Sequence, residues 1–100
     1  MIEYRVFKDY GWPNHVGVEV KTSANRYVLV HNTGNGTVAE WDATKNCGKK
    51  VECGIWRPAR NSHAATVDDL VKAGGTGYCV FNNNCYLARN RILERLNGEQ

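Results

Sequence analysis

The stretch IEYRVF, residues 2–7, alternates apolar and polar side chains. A period of two marks a strand with one face buried. HVGVEV (15–20) repeats the alternation, with Gly17 as a point where another group can approach the backbone closely. RYVLVH (26–31) is β-branched and aromatic and predicts a third strand. TVAEW (37–41) predicts a fourth, and VECGIWR (51–57) a fifth that Pro58 ends. Polar turns separate them: YGWPN, KTSANR, NTGNG and the longer loop DATKNCGKK. Trp41 and Trp56 fall in these strands and are expected in the core.

Beyond the loop ARNSHAA the period changes. Thr66 is placed to cap a helix, with Asp69 three residues on to close a capping box. The helix over VDDLVKA is short and stops at Gly74 and Gly75. GYCVF (77–81) reads as extended. A second helix runs from Asn84 to about Leu96. Cys85, Ala88, Ile92 and Leu96 share one face of it, with Leu93 at the edge, while Arg89, Arg91, Glu94 and Arg95 lie mostly elsewhere. The pattern predicts an α+β domain: an antiparallel sheet of about five strands, then two helices, one short and one C-terminal that carries a cysteine.

One hundred residues make a single domain. A net charge of +3 is mild, and no run of Lys and Arg is interleaved with aromatics, so nucleic acid is not an expected partner. No stretch approaches the roughly 18 apolar residues of a membrane-spanning helix, so membrane contact is expected to be peripheral at most. The N-terminus has no apolar run of the secretory type, which predicts a cytoplasmic protein, or an exported one if the native chain begins further upstream. Four cysteines stand at 47, 53, 79 and 85. Their spacing matches no zinc pattern, and no metal or cofactor is expected. Cys47 and Cys53 can close a small disulfide loop in an exported protein; in a cytoplasm they stay reduced, which is the expectation here.

The histidines change the picture. If residues 20 and 26 close the hairpin between the second and third strands, 18 pairs with 28, 16 with 30 and 15 with 31. His15 and His31 then become cross-strand partners, with Cβ atoms roughly 4.5–5.5 Å apart. One imidazole can serve as general base while the other orients it. Two surface histidines at a strand end are the plain alternative. A metal pair would need a third ligand that no obvious carboxylate supplies. His63 has no partner by spacing and is read as a loop residue.

Three asparagines, 82–84, lead into Cys85. Asn82 reads as a turn residue, and Asn83 or Asn84 as the helix cap. A cysteine in the first turn of a helix meets free N–H groups and the positive end of the dipole, which favour a thiolate. A buried small residue behind a cap is the alternative. Tyr10 and Trp12 precede His15 closely and are candidates to line a substrate site, or else core aromatics; Asn84, beside Cys85, is a further substrate-site candidate.

Tyr78-x-Val80-Phe81-Asn82-Asn83-Asn84-Cys85 resembles the Y-x-L-L-x-N-N-C segment of lecithin:retinol acyltransferase-like proteins, in the permuted branch of the NlpC/P60, papain-like superfamily. His15-Val16-Gly17-Val18-x-Val20 is similar to that family's H-x-x-I-Y-V strand, and Tyr27-Val28-x-Val30-His31 to the strand after it. The order His, His, Cys is the permuted one. The resemblance implies a sheet packed against the C-terminal helix that carries the nucleophile Cys85, with His15 as base and His31 as the orienting group. Tyr86-Leu87-Ala88 replaces the family's usual Glu-His-Phe, the two histidines stand further apart than usual, and the hydrophobic C-terminal anchor of the phospholipase/acyltransferase members is absent. Membrane lipid is therefore a weaker expectation than a soluble or interfacial substrate.

The function expected is thiol-dependent acyl transfer, to water or to an acceptor, on an acyl-bearing small molecule, lipid or peptide. The competing readings are a binding or regulatory domain that keeps the fold without catalysis, and a small secreted domain with Cys47–Cys53 and Cys79–Cys85 paired.

Overall fold

The computed structural model describes residues 2–11, 15–61, 66–75 and 84–98. Among them are six strands, β1 (Glu3–Asp9), β2 (His15–Lys21), β3 (Tyr27–Asn32), β4 (Thr37–Trp41), β5 (Val51–Cys53) and β6 (Arg57–Pro58), and two helices, α1 (Val67–Gly74) and α2 (Cys85–Asn97). The strands pair in the order β4-β3-β2-β1-β5, all antiparallel, and β6 also pairs with β1. The architecture is the expected α+β one. The extended reading of 77–81, the turn reading of Asn82 and the loop reading of His63 lie outside the described residues.

Both helices cap as their sequences require. Thr66 and Asp69 complete a capping box at α1. Asn84 is the N-cap of α2, its Oδ1 accepting from the Leu87 N–H at 3.0 Å, and Gly98 ends the helix in the left-handed region. The stripe Cys85, Ala88, Ile92 and Leu96 is the buried one. Ile92 and Leu96 join Leu70 of α1 and the strand residues Tyr4, Val18, Val20, Val28 and Val30 in one core.

Successive strand residues point to opposite faces. Val16, Val18 and Val20 thus line the helix-covered face, and His15, Gly17 and Glu19 the other. That second face is also closed. β4 and β5 lie at opposite edges of the sheet, so the 42–50 connection must cross it, and it does so on the face without helices. Glu19, 0% exposed, fixes this strap: its carboxylate accepts from Arg5 Nε (3.0 Å), Thr44 Oγ1 and the Lys45 N–H (3.2 Å). Lys45 Nζ reaches Asp9 and lies 5.1 Å from the centre of the Phe7 ring.

Four expectations need correction. The predicted fifth strand is two short ones, because β5 and β6 pair with β1 in registers one residue apart and residues 54–56 take up the difference as a bulge. Pro58 lies inside β6, an edge position where its missing N–H is tolerated. Trp41 is 44% exposed rather than core, on an edge strand with Arg26 against its ring, and Trp56 is half-buried beneath Arg5 and beside Tyr27. Cys47 and Cys53 form a disulfide rather than two thiols; the strap returns to the sheet at β5 and brings their Cα atoms to 5.7 Å, within bridging range.

Candidate functional site

His15 opens β2 and His31 lies near the end of β3, and their side chains share the strap-covered face. They meet nitrogen to nitrogen, His15 Nε2 to His31 Nδ1, at 2.6 Å. The predicted direct opposition of the two residues is not what brings this about. Val20 pairs with Val28 and Val18 with Val30, a register two residues removed from the predicted one. The cause is a tighter turn, closed by hydrogen bonds between Thr22 and Arg26 and between Asn25 and Thr22, with Asn25 at φ 64°. Asparagine tolerates that left-handed conformation better than most residues. A shift of two leaves every side chain on its face, so the histidines remain neighbours, now diagonally.

The space between them exists because residue 17 is glycine. A Cβ there would lie 2.7 Å from His31 Cβ and 2.7 Å from the Phe7 ring. Phe7, fully buried, contacts both imidazoles edge-on or tilted, with centroids 6.0 and 6.2 Å away. His31 is 7% exposed. Its other nitrogen, Nε2, lies 2.6 Å from Oε1 of Glu40 on β4. His15, His31 and Glu40 thus form a continuous polar chain across three strands.

Sequence reading missed Glu40. Its signal was present in the strand TVAEW, but only the β3–β4 register, with Leu29 opposite Glu40, puts it on the histidine face. His15 is half-buried, and its pKa lies below the ordinary imidazole value, first because burial disfavours the charged ring and then because His31 and Lys45 are close; Asp9 and Glu40 oppose this. Asp9, opposite His15 in the β1–β2 ladder, is itself held below the usual carboxylate range by the Gly11 N–H it accepts.

Cys85 is a buried free thiol at the first position of α2. The Cys79–Cys85 pairing of the secreted-domain reading is therefore not formed. Two of the contacts of α2 show its direction along the sheet: Tyr4 Oη donates to Asn97 at its C-terminal end, and Lys8 Nζ lies 6.0 Å from the Tyr86 ring at its N-terminal end. Lys8 pairs with Val16, next to His15. The thiol and the imidazole pair thus share one end of the sheet but approach it from opposite faces. Among the described residues no hydrogen bond joins Cys85 to either histidine. Tyr10 is 48% exposed, under the Lys8 ammonium, so it is available to a ligand and is no core residue. Trp12 lies outside the described residues. No cluster of three metal-ligating side chains occurs among the described residues.

No family model, curated protein or solved structure matches this chain. No helix among the described residues is long and apolar enough to cross a membrane.

Proposed function

We propose that this domain catalyses acyl transfer through Cys85, as its resemblance to lecithin:retinol acyltransferase-like proteins implies. The observation that carries the reading is the His15–His31 contact at the end of the sheet where α2 presents its first turn. A base held by a second polar group is the arrangement nucleophilic catalysis needs. Its depressed pKa keeps His15 neutral near pH 7, the state that accepts a proton.

In this reading His15 takes the Cys85 proton and the sulfur bonds to the acyl carbon. The bond from that carbon to the leaving oxygen or nitrogen breaks, and the leaving group receives the proton from His15. Water or an acceptor then attacks the acyl carbon of the thioester, giving its proton to His15; the carbon–sulfur bond breaks, and His15 returns the proton to the Cys85 sulfur. The substrate is an acyl-bearing small molecule, lipid or peptide. The Cys47–Cys53 disulfide favours an oxidising compartment over the cytoplasm.

One observation favours the other reading, a non-catalytic binding domain: the Cys85 thiol is buried, lies on the opposite face of the sheet from the imidazole pair, and is not hydrogen-bonded to an imidazole among the described residues, so His15 can reach it only if the two are brought together. Alkylation of the native protein by iodoacetamide across pH, with the label located by mass spectrometry, separates the two. Catalysis predicts that Cys85 labels well below pH 7 and that His15→Ala changes the profile. A Cys85 that labels only in the range of an ordinary thiol, or not at all, favours the binding domain.

A further inference from the structure

His31 is flanked on both sides, and its tautomer is therefore not free. A carboxylate only accepts hydrogen bonds. At 2.6 Å from Glu40, Nε2 of His31 must carry the hydrogen. In neutral His31 this leaves Nδ1 as an acceptor. The partner of that acceptor is Nε2 of His15, also at 2.6 Å, which must then carry its own hydrogen. The same reasoning fixes the last nitrogen. Neutral His15 with hydrogen on Nε2 has its lone pair on Nδ1, and no hydrogen bond among the described residues occupies that atom.

We propose that Glu40 is a positioning residue which, through His31, sets the tautomer of His15 and leaves Nδ1 of His15 as the proton-accepting atom. This rests on the reading of His15 as the base. It adds a residue that touches neither the thiol nor the base. When His15 gains a proton on Nδ1, its Nε2–H still donates to His31, whose Nε2–H still donates to Glu40. No hydrogen in the chain has to move or reverse. Without Glu40 either His31 tautomer is available. The one with hydrogen on Nδ1 donates to His15 Nε2, which then shifts the His15 hydrogen to Nδ1 and blocks it as a base.

The charged and titratable groups around the pair come from every neighbouring element. Asp9 stands on β1, His31 on β3, Glu40 on β4 and Lys45 on the strap. Of the charged groups among them, Glu40 alone is hydrogen-bonded to His31 among the described residues, and its side chain is 51% exposed, so replacing it leaves the core intact.

The test is long-range ¹H–¹⁵N correlation of the imidazoles at pH 8.5, which reports which ring nitrogen bears hydrogen, in the wild-type protein, Glu40→Leu and Glu40→Gln. Wild type is expected to show hydrogen on Nε2 of both His15 and His31. Glu40→Leu is expected to show averaged or reversed shifts at both rings. Glu40→Gln, whose amide can accept or donate, is expected to fall between the two. A wild-type His15 with hydrogen on Nδ1, or a Glu40→Leu protein with both rings unchanged, overturns the proposal. Cys85 alkylation on the same samples reads separately. Unreactive Cys85 with the expected tautomers would sink the catalytic reading and leave the assignment of Glu40 standing.

Discussion

His15 and His31 touch at 2.6 Å although the ladder does not oppose them; the β2–β3 register instead runs on to set Gly17 beside His31. The contact spans the gap that a missing side chain leaves. Three groups — Phe7, His31 and the Gly17 backbone — fill the same small volume, and interiors packed to crystal-like density do not accept an extra methyl there.

Gly17→Ala is therefore expected to destabilise the fold by roughly 1–3 kcal/mol, the usual cost of overpacking, and to part the two imidazoles. Denaturant unfolding and imidazole NMR read the two effects. Gly48→Ala is the control, since a Cβ at Gly48 meets nothing within 4 Å and the residue is not in the left-handed region. It should stay within about 0.5 kcal/mol of wild type. Equal effects from the two substitutions would show that the close approach at Gly17 is unimportant.

Stability should fall as pH drops from 7.5 to 5. His15 has a folded-state pKa below its unfolded value of about 6.5, so the unfolded chain takes up the proton first and gains on the folded one. His15→Gln should flatten that part of the profile. The depressed carboxylates Asp9, Asp42 and Asp69 act in the same direction but in a lower window, from about pH 4 downward. A wild-type profile that is flat between pH 7.5 and 5 would contradict the placement of His15.

Glu19 and Arg5 should be strongly coupled. Glu19 is fully buried, and Arg5→Met removes its one cationic partner among the described residues, leaving a charge held by Thr44 and a backbone N–H. The expected loss is roughly 3–5 kcal/mol, the range for breaking a buried pair. The double variant Arg5→Met/Glu19→Leu should recover part of it, because no unpaired charge remains. Additive losses in chemical denaturation would argue that the strap, not the ion pair, carries the interaction.

Removing the Cys47–Cys53 bridge by replacing both residues with Ser should cost about 2 kcal/mol, as the closed loop is short. Hydrogen exchange should rise first in residues 42–50, while α1 and α2 keep their protection, since those helices pack on the opposite face. Uniform loosening of the whole domain would mean that the strap and the helix side unfold as one unit.

Much of this architecture is local and was legible from residue order. TVAEW is a strand from Thr37 to Trp41, as expected. Thr66 and Asp69 form the capping box that their spacing allows. Asn84 caps α2, and the Cys85, Ala88, Ile92, Leu96 stripe turns inward. Periodicity and capping chemistry act within one element, so neighbours in sequence decide them. The shared face of His15 and His31 was legible for a related reason: a period of two survives a register shift of two.

The rest depended on contacts distant in sequence. The turn at Thr22–Arg26 set which residues oppose each other, and so put Gly17 rather than His15 beside His31. Glu40 became the third member of the polar chain only through the pairing of β4 with β3. Trp41 was left exposed because β4 is an edge strand, and Cys47 met Cys53 because the strap had to cross the sheet to reach β5. Sequence by itself determined most of the elements, the inward stripe of α2 and the residue types available for chemistry. Tertiary structure decided which of those residues touch, because the order and register of the strands are set by turns, packing and crossings that no single segment encodes.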